Sequence, residues 1–69
     1  MPSSFPLTAA EERVSALLLE GLTNRSIATR LVISHRTVET HISRALAKTG
    51  CKNRVELALW MLTMRSTPA

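Results

Sequence analysis

Sixty-nine residues make one domain at most, and the single cysteine, Cys51, excludes a disulfide within the chain. A chain this short buries only about 60% of its unfolded surface, so close helix packing or a partner chain must stabilise it. The net charge of +4 is unevenly spread: between residues 23 and 54, seven cations (Arg25, Arg30, Arg36, Arg44, Lys48, Lys52 and Arg54) oppose Glu39 alone, whereas the remainder carries two arginines against four glutamates.

A basic centre of this kind is the electrostatic footprint expected of a protein that meets a polyanion. The N-terminus has neither the basic leader nor the apolar core of a signal peptide. No apolar run approaches the roughly 20 residues a membrane span needs. The expectation is a soluble, cytoplasmic protein with no membrane partner. His35 and His41 lie six apart and point in different directions on one helix, so no metal site is expected. There is no glycine-rich phosphate loop, no paired carboxylates and no nucleophile with a base, which speaks against an enzyme and against a cofactor.

In chain order, residues 1–6 hold two prolines and two serines and predict a flexible leader to a folded domain over 7–65. Thr8 and Glu11 form a capping box that opens a first helix at about 8–20. Val14, Leu17 and Leu18 make its inward stripe, with Ala10 above them. Gly21 stops it, and Leu22 packs back on the last turn. Thr23 or Asn24 caps a short second helix at about 24–31. Its buried side is Ile27, Ala28 and Leu31, and Arg25 and Arg30 face out.

Val32 and Ile33 form a turn too short to reverse the chain, so the second and third helices meet steeply as a helix-turn-helix. The turn has no glycine, and burial of Ile33 together with Val32 is expected to fix it. Ser34 caps a third helix at about 35–49, and Gly50 ends it. Val38, Ile42, Ala45, Leu46 and Thr49 recur at helical spacing on one face. Arg36, Glu39, Thr40, Ser43, Arg44, Ala47 and Lys48 lie away from it, free to enter the major groove of duplex DNA.

Cys51 reads as a small hydrophobe in the helix-stop contact. Asn53 and Glu56 open a fourth helix at about 54–64, and residues 66–69 form a flexible tail. This helix carries two apolar stripes: Val55, Ala58, Leu59 and Leu62, and Leu57, Trp60, Met61 and Met64. One stripe closes the core. The other would be an exposed apolar patch of the kind that marks an interface, and Leu57, Trp60, Met61 and Met64 are the expected homodimer contacts. The predicted fold class is all-α, a four-helix bundle containing a helix-turn-helix.

These residues resemble the LuxR-type, or GerE-type, helix-turn-helix domain found at the C-terminus of NarL/FixJ-like bacterial transcription regulators. The resemblance runs over residues 7–62. It rests on Leu7, Thr8 and Glu11; on Glu20, Gly21, Leu22, Thr23 and Asn24; on Ile27 and Ala28; on Ile33, Ser34, Thr37, Val38 and Glu39; and on Asn53, Arg54, Val55 and Glu56. It implies a response-regulator-type DNA-binding domain with the third helix in the major groove and the fourth at a dimer interface. Double-stranded DNA, a second copy and RNA polymerase are then the expected partners. The chain departs from the family at Ser15, where leucine is common, at Ser26, and at Glu39, where lysine is common, so a lysine-based base contact does not carry over.

Holding and reading DNA are separate tasks. Phosphates would be held by Thr23, Asn24 and Arg25, by Ser34 and Thr37, and by His41, Arg44 and Lys48. Base edges would be read by Arg36, Glu39, Thr40 and Ser43. Two other readings fit a helical chain of this size: a sigma-factor region-four-like promoter module, and a helical adaptor that binds protein through the fourth helix. The double apolar stripe after Gly50 argues against the first.

Overall fold

Four short polar side chains start four helices. In the computed structural model, which describes residues 7–66, these are α1 (Ala9–Leu19), α2 (Asn24–Leu31), α3 (His35–Thr49) and α4 (Arg54–Ser66). Thr8 Oγ1 accepts from Glu11 N at 3.2 Å and Glu11 Oε1 accepts from Thr8 N at 3.0 Å, completing the capping box. Thr23 Oγ1 accepts from Ser26 N, Ser34 Oγ from Thr37 N, and Asn53 Oδ1 from Glu56 N. Each satisfies a backbone donor that the first helical turn leaves open.

The fold is all-α among the described residues, as the periodicity predicts. α4 runs two residues beyond its predicted end, so Ser66 belongs to the helix and not to the tail. The predicted leader, 1–6, and the rest of the tail, 67–69, lie outside the described residues. Val14, Leu17 and Leu18 of α1, Ile27 and Ala28 of α2, and Val38, Ile42 and Ala45 of α3 are all buried in one core. α1 packs against both α3 and α4, while α2 rests chiefly on α3. Ala10 is exposed, and Glu11 takes the inward place one residue along. Ser15 is also buried, and among the described residues its hydroxyl has no hydrogen-bond partner.

The two stripes of α4 exchange the roles expected of them. Leu57 and Met61 are fully buried and close the core, with Trp60 half-buried against it; Met64 is half-buried. Leu57 and Met61, four apart on one face, therefore cannot be a dimer surface in the folded chain. Val55, Leu59 and Leu62 are 64%, 56% and 50% exposed and form the outer apolar face.

The turn between α2 and α3 is held differently from the expectation. Ile33 is half-buried and its N–H donates to Ala28 O at 3.0 Å. Val32 is 89% exposed, with φ 57 and ψ 49. It occupies the left-handed position that Gly21 fills after α1 and Gly50 after α3. That region disfavours L-residues by roughly 1–2 kcal/mol and is least suited to a β-branched side chain. Val32→Gly is expected to raise stability by about 1 kcal/mol, since glycine's extra unfolded-state freedom offsets only part of the relief. The melting temperature should rise by about 5 °C in a domain of this size. A thermal melt showing no gain would mean that the turn holds no strain.

Candidate nucleic-acid interface

The outer face of α3 is built by default. Val38, Ile42 and Ala45 commit one side of the helix to the core, so the residues between them must face out. Arg36, Glu39, Thr40, Ser43 and Arg44 are all exposed and line one shallow depression on that face. Thr40 Oγ1 donates to Arg36 O at 3.1 Å, which uses the hydroxyl proton and fixes how the side chain sits. Glu39 Oε2 lies 3.3 Å from His35 Nδ1, one turn back. His35 is thus tied to the exposed face of α3 through Glu39, a pairing that sequence reasoning did not foresee.

A second depression runs between α2 and the start of α3. It is lined by Arg25, Thr29, Val32, Ser34 and His35 among others. Here the N-terminus of α3 carries Ser34 and Thr37, whose hydroxyl oxygens lie 2.8 Å apart. Of the N-terminus of α2, Arg25 reaches this depression, while Thr23 and Asn24 line a separate one with Leu22, Arg54 and Val55; Thr23 Oγ1 donates to Ser26 Oγ at 3.1 Å. Helix N-termini with their capping hydroxyls, and an arginine with no ion pair among the described residues, make surfaces suited to anions.

Two predicted phosphate ligands are placed otherwise. Lys48 Nζ donates to Glu11 Oε1 at 2.7 Å, and Glu11 is only 2% exposed. Lys48 is thereby a clamp between the end of α3 and the start of α1, and its ammonium is not free for phosphate. Burial pushes the Glu11 carboxyl up, but the Lys48 ammonium and the Thr8 groups together outweigh it and hold the carboxyl below its ordinary range. His41 is half-buried and its Nδ1 is buried without a partner among the described residues, so that edge of the ring faces away from any backbone phosphate.

Sequence reasoning also missed Arg54. Its Nη1 donates to Asn24 Oδ1 at 2.8 Å and its Nη2 to Leu22 O at 3.2 Å. No local pattern signals a bond across 30 residues. Arg54 was legible as one of the basic centre's cations and as a member of a capping stretch.

Two helices joined through Val32 and Ile33, the second exposed along its polar side, match the arrangement of a helix-turn-helix domain. The chain belongs to the LuxR family of bacterial regulatory proteins, whose sequence pattern matches residues 5–61. It is 58% identical over 48 residues to the C4-dicarboxylate transport transcriptional regulatory protein DctR of Rhodobacter capsulatus, covering 70% of this chain and 24% of that protein. It is 41% identical over 63 residues to the DNA-binding transcriptional activator DevR/DosR of Mycobacterium tuberculosis, covering 90% and 29%. With the nitrate/nitrite response regulator protein NarL of Escherichia coli it shares 42% identity over 55 residues, 80% of this chain and 26% of that one. The chain therefore spans less than a third of the length of each of these relatives. They are transcriptional regulators and not enzymes. Among the described residues no helix is long and apolar enough to cross a membrane.

Proposed function

We propose that this domain binds duplex DNA sequence-specifically, with α3 lying in the major groove and the N-termini of α2 and α3 set against the flanking phosphates. The observation that carries the reading is the clustering of Arg36, Glu39, Thr40, Ser43 and Arg44 on one exposed face of a helix whose other face is core. Arg36 has the reach and the donor fork for guanine O6 and N7, and Glu39 can accept from cytosine N4. With its hydroxyl proton turned back to Arg36 O, Thr40 is left to present its methyl group to thymine. Thr23, Asn24, Arg25, Ser34 and Thr37 hold the backbone, and Arg44 extends that hold along α3.

Two copies joined through the outer face of α4 (Val55, Leu59 and Leu62) would present two reading helices to two half-sites. The setting is the bacterial cytoplasm, and control of transcription from the bound site would bring in RNA polymerase.

Selection from a random duplex library, followed by titration at several salt concentrations, tests the assignment. Arg36→Ala or Glu39→Ala is expected to alter preference at one base position by about 1–3 kcal/mol. Arg25→Ala should weaken binding to all sequences alike and flatten the salt slope by about one unit. Uniform loss on every sequence after Glu39→Ala would remove that residue from base reading.

A further inference from the structure

The geometry points to Arg54 as a positioning residue that turns Asn24 into a phosphate donor. This rests on the DNA-binding reading above. Arg54 opens α4 and is exposed, yet both arms of its guanidinium reach across to the start of α2. The two acceptors, Leu22 O and Asn24 Oδ1, flank Thr23, the residue that caps α2. The loop that delivers α2 to the DNA is thus gripped on either side of its cap.

The chemistry of the bond fixes the amide. A guanidinium has donors and no acceptor, so the Asn24 atom facing it must be the oxygen. The amide NH2 must then project away from Arg54. Among the described residues that nitrogen has no partner, and it sits on the first residue of α2, beside backbone N–H groups that the helix leaves open. Freed from Arg54, the amide could rotate and present its oxygen, which a phosphate repels. Held by Arg54, it presents two donors. The same contact ties this end of α2 to the first turn of α4, whose Val55 and Leu59 lie in one depression with Leu22 and Asn24.

The test measures affinity for a selected duplex across a salt series for the unaltered chain, Asn24→Ala, Arg54→Ala, Arg54→Lys, Asn24→Asp and the double alanine variant. Thermal melts run alongside. Asn24→Ala and Arg54→Ala are each expected to weaken binding about fivefold, the weight of one hydrogen bond. The double variant should lose no more than either alone. The salt slope should stay unchanged in Arg54→Ala, because the arginine itself touches no phosphate. Arg54→Lys should fail to rescue, since one ammonium cannot span both acceptors. Asn24→Asp keeps the partner of Arg54 and its melting temperature, yet binds DNA more weakly than Asn24→Ala.

A slope lowered by about 0.9 in Arg54→Ala, with rescue by lysine and additive losses, would make Arg54 a direct phosphate ligand and overturn the proposal. Unaltered affinity in Asn24→Asp would overturn it too. If the unaltered chain showed no salt-dependent binding to any duplex, the DNA-binding reading would fall, and the proposal with it.

Discussion

Leu57→Ala is expected to unfold the domain, whereas Leu59→Ala, two residues on, is expected to leave it folded. Truncating a buried leucine costs about 2–5 kcal/mol, through lost transfer energy and the cavity left behind. Leu57 has no exposed surface and sits among the largest fully buried side chains. A core in a chain of this size rarely supplies more than about 3–5 kcal/mol, so the loss consumes most of the stability. Leu59 is more than half exposed, and its removal should change monomer stability by less than about 0.5 kcal/mol. Its effect should appear in association: Leu59→Ala, and more so Leu62→Glu, should lower the dimer fraction seen by sedimentation. Urea melts settle the first half. A folded Leu57→Ala protein together with an unfolded Leu59→Ala one would mean that α4 is turned the other way round its axis.

Lys48→Met is expected to cost about 1–3 kcal/mol of stability. Stripping the partner from a buried carboxylate costs about 3–5 kcal/mol when the pair is fully enclosed. The Lys48 side chain is 37% exposed, so solvent screens part of that penalty. Glu11→Gln should cost less, because the amide keeps the acceptor of the capping box and leaves no charge to desolvate. The pH dependence carries a definite sign. Glu11 is held below its ordinary value of 4.5, so its contribution is complete above that pH and is lost as the pH falls through the lowered folded value. The unaltered domain should lose stability on acidification below about 4.5. Glu11→Gln should be less stable at neutral pH and show a flatter acid limb. In DNA titrations Lys48→Met should leave the salt slope unchanged, unlike Arg25→Ala. A slope reduced by one in Lys48→Met would return that lysine to the phosphate contacts.

The helices and most of the core were legible because each depends on local chemistry. Thr8, Thr23, Ser34 and Asn53 announce starts, Gly21 and Gly50 announce stops, and three-and-four spacing picks out Val14, Leu17, Leu18, Val38, Ile42 and Ala45. The stripe of α4 that faces inward was not legible, because both stripes are apolar at the same period. The choice depends on how α4 is set against α1, which no window of the sequence contains. The turn at Val32 misled for a related reason. Val32-Ile33 repeats the backbone logic of Gly21-Leu22, with a left-handed residue followed by an apolar one that packs back, but valine hides it. Lys48 was read as a phosphate ligand, and Arg54 as part of the basic centre and of the start of the fourth helix. Their partners, Glu11 and Asn24, stand 37 and 30 residues away.

The exposed face of α3 was legible because burial on one side of a helix dictates exposure on the other. His35 was missed within it. A histidine four residues before a glutamate on a helix is a pairing the spacing could have offered.

Helix α1 carries none of the residues of the proposed reading face, yet it packs against both α3 and α4. Its first turn holds the far end of α3 through Glu11 and Lys48, and its last turn borders the depression beside Val55 and Leu59. If α3 enters a groove and two copies pair, the pitch of the one and the tilt of the other are both referred to this single helix. On the proposed mode of binding, a lesion in α1 that leaves the exposed side chains of α3 intact would detune the distance between paired half-sites before it weakened the grip on either.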